Sequence, residues 1–207
     1  MRPWELFNKL RNLEYTTVGR AVDYCIHVDL RWRAIWLFFE ESNQRRDWVT
    51  NLRFCPRRMA SVNGRNIYVH GGFLGVWREV KSRIFDELLQ ALAAFPGFTV
   101  KLAGFSKGAA MAQLSAFDWH LLTGETPEVT TFGGPRIAFN TRSRDVMSNS
   151  MRLIHWIHVN DIITKVPPLP LGFFHVNRQV NIGRRGIFGI FNPNKYHQLY
   201  GDPSLYA

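Results

Sequence analysis

Leu102-Ala103-Gly104-Phe105-Ser106-Lys107-Gly108-Ala109-Ala110 is the stretch that decides the fold. Gly104-Phe-Ser-Lys-Gly108 matches G-x-S-x-G, a turn in which a strand ends, presents a serine and starts a helix. The pattern has a steric cause. The serine is held at a strained φ/ψ, and glycines two places either side let neighbouring backbone pass where a Cβ would collide. The flanks agree: Phe98 to Phe105 alternates like a strand, and Lys107 to Leu122 is an alanine-rich helix closed by Gly124. The start of that helix lies beneath the serine, so the Lys107 N–H and the helix dipole point at any negative charge developing there. The competing reading is a tight turn whose serine only caps the helix.

Working outward, residues 1–20 mix apolar and basic positions and predict a helix lying on the domain. Tyr24 to Leu30 and Ala34 to Phe39 are rich in aromatic and β-branched residues around Arg31-Trp32-Arg33, which predicts a strand pair. Residues 40–66 read as a loop holding a short amphipathic helix around Trp48, Val49 and Leu52. From Val76 on, Val80, Ile84, Leu88 and Leu92 recur every four residues, one face of a long helix that Pro96-Gly97 ends. Beyond the serine turn come a strand (Glu128 to Phe132), a Gly133-Gly134-Pro135 turn, a helix (Ile137 to Ser148) and an apolar strand (Met151 to Val159). A proline-rich loop, Val166-Pro-Pro-Leu-Pro, precedes a hairpin-like stretch from Phe173 to Ile182. Strands alternating with helices predict an α/β fold: a mostly parallel central sheet with helices on both faces.

A serine nucleophile needs a base to take its proton and a carboxylate to orient that base. On a sheet of this type the order along the chain is Ser, then Asp or Glu, then His. Asp161 follows the strand Met151 to Val159, and parallel sheets place their chemistry at the carboxyl ends of strands. His175 and His197 lie beyond it. His175, in a strand-like run after Phe173-Phe174, reads as structural; His197, in Asn194-Lys-Tyr-His-Gln-Leu-Tyr200, has the loop position a base needs. His155 and His158 precede Asp161 and break the order.

The chain's 207 residues suit one domain, and a 46% hydrophobic composition excludes wholesale disorder. Two cysteines, Cys25 and Cys55, make neither a disulfide scaffold nor a cysteine-rich zinc module. The proposed chemistry calls for no metal and no cofactor. No apolar run is long enough to span a membrane, and the first residues lack the apolar core of a secretion signal, which favours a cytoplasmic location. The formal charge of +10 attracts any polyanion. Its arginines are scattered in pairs, such as Arg45-Arg46 and Arg184-Arg185, with no nucleic-acid-binding signature, so nucleic acid is the weaker reading of the charge.

A set of ordered motifs then resembles the class 3 lipase family, the fungal-lipase-like branch of the α/β-hydrolases. Phe38-Phe39-Glu40-Glu41-Ser42 stands where members carry an aromatic strand ending in a tripeptide such as R-G-T, and Asp47-Trp-Val-Thr-Asn-Leu52 follows it. Val69-His-Gly-Gly-Phe73 matches V-H-x-G-F, and Thr131-Phe-Gly-Gly-Pro-Arg136 matches T-F-G-x-P-R. Asn160-Asp-Ile-Ile-Thr-Lys-Val-Pro-Pro168 and His197-Gln-Leu-Tyr200 complete the series around the serine turn. The resemblance implies Ser106 as nucleophile, Asp161 as orienting acid and His197 as base. It implies an oxyanion hole from Ser42 and the Lys107 N–H, and a lid over residues 43–54 with Trp48, Val49 and Leu52 as its apolar face. The implied substrates are acyl esters of glycerolipids, cleaved as a triacylglycerol lipase or a phospholipase A1 does. Arg45, Arg46 and Arg53 on the lid would favour an anionic lipid surface.

Glu40-Glu41 replaces the family's basic residue and glycine, placing two carboxylates beside a site that must hold negative charge. Turned inward they would oppose the oxyanion; facing solvent, or paired with Arg45 or Arg46, they would not. That departure keeps a second reading open, a hydrolase-fold protein that binds lipid, protein or nucleic acid through its basic surface without catalysis. A protease or thioesterase using the same triad is a third.

Overall fold

The computed structural model describes residues 1–18, 22–40, 54–177, 179–184 and 193–206. A seven-stranded sheet runs through it, with a smaller four-stranded sheet beside it. In chain order the large sheet is built from β1 (Thr16–Val18), β2 (Val22–Asp29), β3 (Ala34–Glu40), β6 (Thr99–Phe105), β7 (Glu128–Phe132), β9 (Arg152–His158) and β11 (Gln179–Ile182), and these strands also neighbour one another in that order. β1–β2 and β2–β3 pair antiparallel; every pairing from β3 to β11 is parallel. This is the architecture that the alternation of strands and helices predicts.

β3 explains why both faces must be covered. Its residues Ala34 to Phe39 are all buried, yet period-two geometry sends them to opposite sides. Ile35, Leu37 and Phe39 join one core with the long helix α2 (Gly71–Ala94) and with α3 (Lys107–Thr123). Ala34, Trp36 and Phe38 join a second core, closed by α1 (Pro3–Arg11). α1 starts with proline in its first turn and ends on Lys9 and Arg11, which suit the negative end of a helix. Its Leu6, Phe7 and Leu10 are buried on the sheet, each contributing about 1.5–3 kcal/mol. α3 is buried almost all round, and its small residues let its backbone lie close to the strands.

Several sequence expectations fail. The helix predicted over residues 1–20 ends at Arg11, and Thr16–Val18 pairs with β2 as strand β1. Residues 56–66 are not loop: β4 (Pro56–Val62) and β5 (Arg65–His70) form an antiparallel hairpin within the small sheet. Its turn is Asn63-Gly64, both at positive φ (49° and 73°), the backbone of a tight two-residue hairpin turn. Nor is Phe173 to Ile182 a hairpin. β10 (Phe173–Phe174) pairs antiparallel with β8 (Ala138–Phe139) in the small sheet, whereas β11 lies parallel to β9 in the large one. Beyond β8, the helix predicted from Ile137 starts later, as α4 (Asn140–Asn149). A short helix, α5 (Pro193–His197), precedes the chain end. Cys25 and Cys55 are free, the first half-buried and the second exposed.

Candidate active site

Ser106 stands between β6 and α3 at φ 55°, ψ −119°, a conformation costly for a residue with a Cβ. Both flanking glycines are required. A Cβ on Gly104 would lie 2.2 Å from the Gly108 carbonyl oxygen, and one on Gly108 would lie 2.3 Å from that of Phe39. The Ser106 N–H donates to the Phe132 carbonyl at 3.0 Å, which ties the turn to β7. Its side chain makes no helix-capping hydrogen bond, so the reading of Ser106 as a mere cap loses its basis. Ser106 is completely buried.

Asp161 follows β9, its N–H donating to the His158 carbonyl at 2.9 Å. It is fully buried, and the Ile163 N–H donates to its Oδ1 at 2.9 Å. Its Oδ2 lies 2.7 Å from His197 Nδ1. A carboxylate only accepts, so Nδ1 carries the hydrogen and Nε2 is the basic nitrogen of the neutral ring. The His197 ring stacks on Phe105 at 4.7 Å between centroids, beside the residue that precedes Ser106 in the chain. Gly133, at φ 56°, allows these groups to meet: a Cβ there would lie 3.0 Å from Asp161 Oδ2 and 3.1 Å from His197 Cε1. The structure thus joins Asp161 to His197 and sets that pair beside the serine turn.

Sequence reasoning missed two participants. The Tyr200 hydroxyl donates to Asp161 Oδ2 at 2.7 Å and accepts from the His158 N–H at 3.0 Å. Burial and the nearby Asp161 charge push the Tyr200 hydroxyl well above the usual phenol range, so it stays a donor. Three residues after His197, it lies one turn along the chain from the base, and that spacing was the available signal. The second participant is Arg11, which forms an ion pair with Glu40 at 2.6 Å and sits over the Phe105 ring. Glu40 therefore has a cationic partner on α1, one that the sequence did not suggest. Glu41, Ser42, Arg45, Arg46 and the lid positions Trp48, Val49 and Leu52 lie outside the described residues.

The histidines assigned no catalytic part are held elsewhere. His175 Nε2 donates to the Thr164 carbonyl at 2.7 Å, and His155 Nδ1 meets the Thr131 hydroxyl. Burial depresses both, His155 to about 4. His158 Nδ1 accepts from the Asn160 N–H at 3.2 Å. Lys107 opens α3 as its first residue and is buried. Among the described residues, no group of three or more His, Cys, Asp or Glu side chains is placed to hold a metal.

Comparison with known proteins gives this arrangement a family. Residues 36–171 match the family model Lipase (class 3). The chain belongs to the class 3 lipase family. It is 28% identical over 151 residues to a lipase of Rhizomucor miehei, covering 71% of this chain and 41% of that protein. It is also 28% identical over 155 residues to the chloroplastic phospholipase A(1) DAD1 of Arabidopsis thaliana, covering 67% of this chain and 35% of that one. The chain therefore spans less than half the length of either relative. Among solved structures, one described as a triacylglycerol lipase whose catalytic centre is formed by a serine protease triad superposes with a TM-score of 0.73 at 25% identity, over 83% of this chain and 66% of that one. The class 3 fold, an α/β-hydrolase sheet with helices on both faces, is thus the fold of this chain.

Proposed function

We propose that this class 3 lipase chain is a serine-dependent carboxylic ester hydrolase acting on acyl esters of glycerolipids. The observation that carries the reading is the buried 2.7 Å contact between Asp161 Oδ2 and His197 Nδ1 beside the strained Ser106 turn. In the proposed cycle His197 Nε2 takes the Ser106 proton as Oγ attacks the ester carbonyl. Asp161 stabilises the imidazolium that forms, and the same imidazolium then protonates the leaving alcohol. The Lys107 N–H faces the developing oxyanion from the helix start, with Ser42 as the second donor. Each such donor contributes roughly 10²–10³ in rate. Water, activated by His197, then releases the fatty acid from the acyl-enzyme.

The full burial of Ser106 supports a covered site that a substrate must open, the part assigned to residues 43–54 as a lid. The net charge of +10 favours substrates presented on anionic surfaces, so a phospholipase A1 type of action fits as well as triacylglycerol hydrolysis. The pairing of Glu40 with Arg11 weakens the rival reading of a non-catalytic binding protein, because it compensates one of the two carboxylates that favoured it.

Hydrolysis of p-nitrophenyl esters by wild type and Ser106→Ala tests the proposal. A loss of at least about 10³-fold in the variant supports a serine mechanism; equal rates leave only the binding reading. Release of fatty acid from phosphatidylcholine and trioleoylglycerol then separates the two substrate types, and an acyl-thioester arm tests the thioesterase alternative.

A further inference from the structure

Away from Ser106, a cavity of about 310 Å³ opens between α4 and the segment that runs from the proline-rich loop to β11. Arg136 and Arg144 supply its charge, Ser148, His175, Asn177 and Gln179 its other polar groups, and Leu169 and Phe174 its apolar wall. Among the described residues no carboxylate lines it. Arg136 is anchored through Nη1 on the carbonyls of Lys165 and Pro167, the latter at 2.8 Å. Arg144 lies over the Phe174 ring at 5.6 Å and bonds Asp145 at 2.8 Å. Asp145 is itself mostly exposed and sits outside the cavity. Two guanidinium groups lining a polar hollow supply the type of donor that a phosphate oxyanion accepts.

Leu169, which lines the cavity, belongs to a segment that leaves large aliphatic side chains in water. Leu169 is 52% exposed, Leu171 47% and Ile162 46%, all on the segment that starts at Asp161. Lys165 is exposed between them. Large aliphatic side chains left in water next to cations are the pattern by which a protein seats itself in a headgroup layer: the apolar groups enter the acyl boundary and the cations hold phosphates. We propose that this surface is a docking site for an anionic phospholipid bilayer, with a headgroup phosphate held between Arg136 and Arg144 and with Leu169 and Leu171 inserted beside it. The residues that form it differ from those read as a lid, 43–54. It would hold the enzyme on its substrate layer through the same segment that carries Asp161.

The inference rests on the lipid-ester reading, but its test needs no catalysis. Vesicles of ether-linked phosphatidylglycerol, which an esterase cannot cleave, are compared with ether-linked phosphatidylcholine in a sedimentation assay with the whole chain. Binding to phosphatidylglycerol should be at least about tenfold tighter. Arg144→Gln should weaken it about fivefold and Leu169→Ser about tenfold. Arg142→Gln is the control: Arg142 is on the same helix but lines a different hollow with Arg65, so less than about twofold change is expected. Each variant's melting curve is recorded. Hydrogen exchange on the wild type supplies a readout independent of substitution, with protection expected over residues 162–174 on phosphatidylglycerol. Equal losses for Arg142→Gln and Arg144→Gln would mean diffuse attraction and overturn the site. So would equal binding to the two lipids, absence of that protection, or saturable binding of inorganic phosphate without vesicle binding.

Discussion

Tyr200 is fully buried behind the Asp161–His197 pair. Its hydroxyl bridges Asp161 Oδ2 and the His158 N–H, so it fixes the carboxylate that fixes His197. Tyr200→Phe leaves a buried carboxylate oxygen and a buried N–H each short of a partner, at about 1–3 kcal/mol. Steady-state kinetics should show kcat reduced about tenfold with KM little changed, since positioning and not binding is lost. A drop confined to KM would contradict the role. His155 makes a second case, one of stability. It is fully buried, faces His175 across 4.8 Å and Thr131 on β7, feels Asp161, and is held neutral with its pKa near 4. The unfolded chain binds a proton near 6.5 and the folded one does not until about 4, so stability is intact above 6.5 and falls as pH drops through that window. The slope is about 1.4 kcal/mol per pH unit for this group. Urea midpoints at pH 7 and pH 5 should fall less in His155→Gln than in wild type; an unchanged fall would assign the acid sensitivity elsewhere.

At the scale of elements, the serine turn was readable because its demands are local. Gly104 and Gly108 carry their reason in sequence, and the structure places backbone oxygens 2.2 and 2.3 Å from where their Cβ atoms would be. Gly108→Ala should therefore push α3 off the Phe39 carbonyl and disturb the oxyanion side of the site. Thermal melting should show a loss of at least about 2 kcal/mol, together with a fall in esterase rate; a stable, fully active variant would show that the close approach is dispensable. β3 was equally legible, because six successive apolar residues fit a strand covered on both faces. The hairpin β4–β5 was not. Its signal, Asn63-Gly64, was present, but its strands carry exposed arginines and little alternation, since this small sheet is only partly covered. Phe173 to Ile182 misled for a different reason. Two strands close in sequence enter different sheets, and pairing choice is a tertiary matter that local pattern does not encode. The Arg11–Glu40 pair was invisible likewise, because it joins residues that only packing of α1 on the sheet brings together.

For the whole molecule, chain order groups Asp161 and His197 with Ser106 as an expectation, and the structure brings the acid and the imidazole into contact from segments 36 residues apart. What order does not encode is access. Ser106 has no exposed surface, so reaching it requires part of its surroundings to move. If an aggregated lipid favours the open state, the rate on a short-chain triglyceride should rise several-fold as its concentration passes from monomeric to emulsified; a smooth saturation curve through that point would argue that no such opening limits the reaction. Among the described residues no helix is long and apolar enough to cross a membrane. The most direct measurement is intact-mass and peptide mapping of the chain after exposure to an alkyl fluorophosphonate, a reagent that phosphonylates only an activated serine. The account predicts one adduct, on Ser106, formed fast in wild type and slowly in His197→Ala. A folded wild-type chain that takes no label, or takes it on another residue, would contradict it.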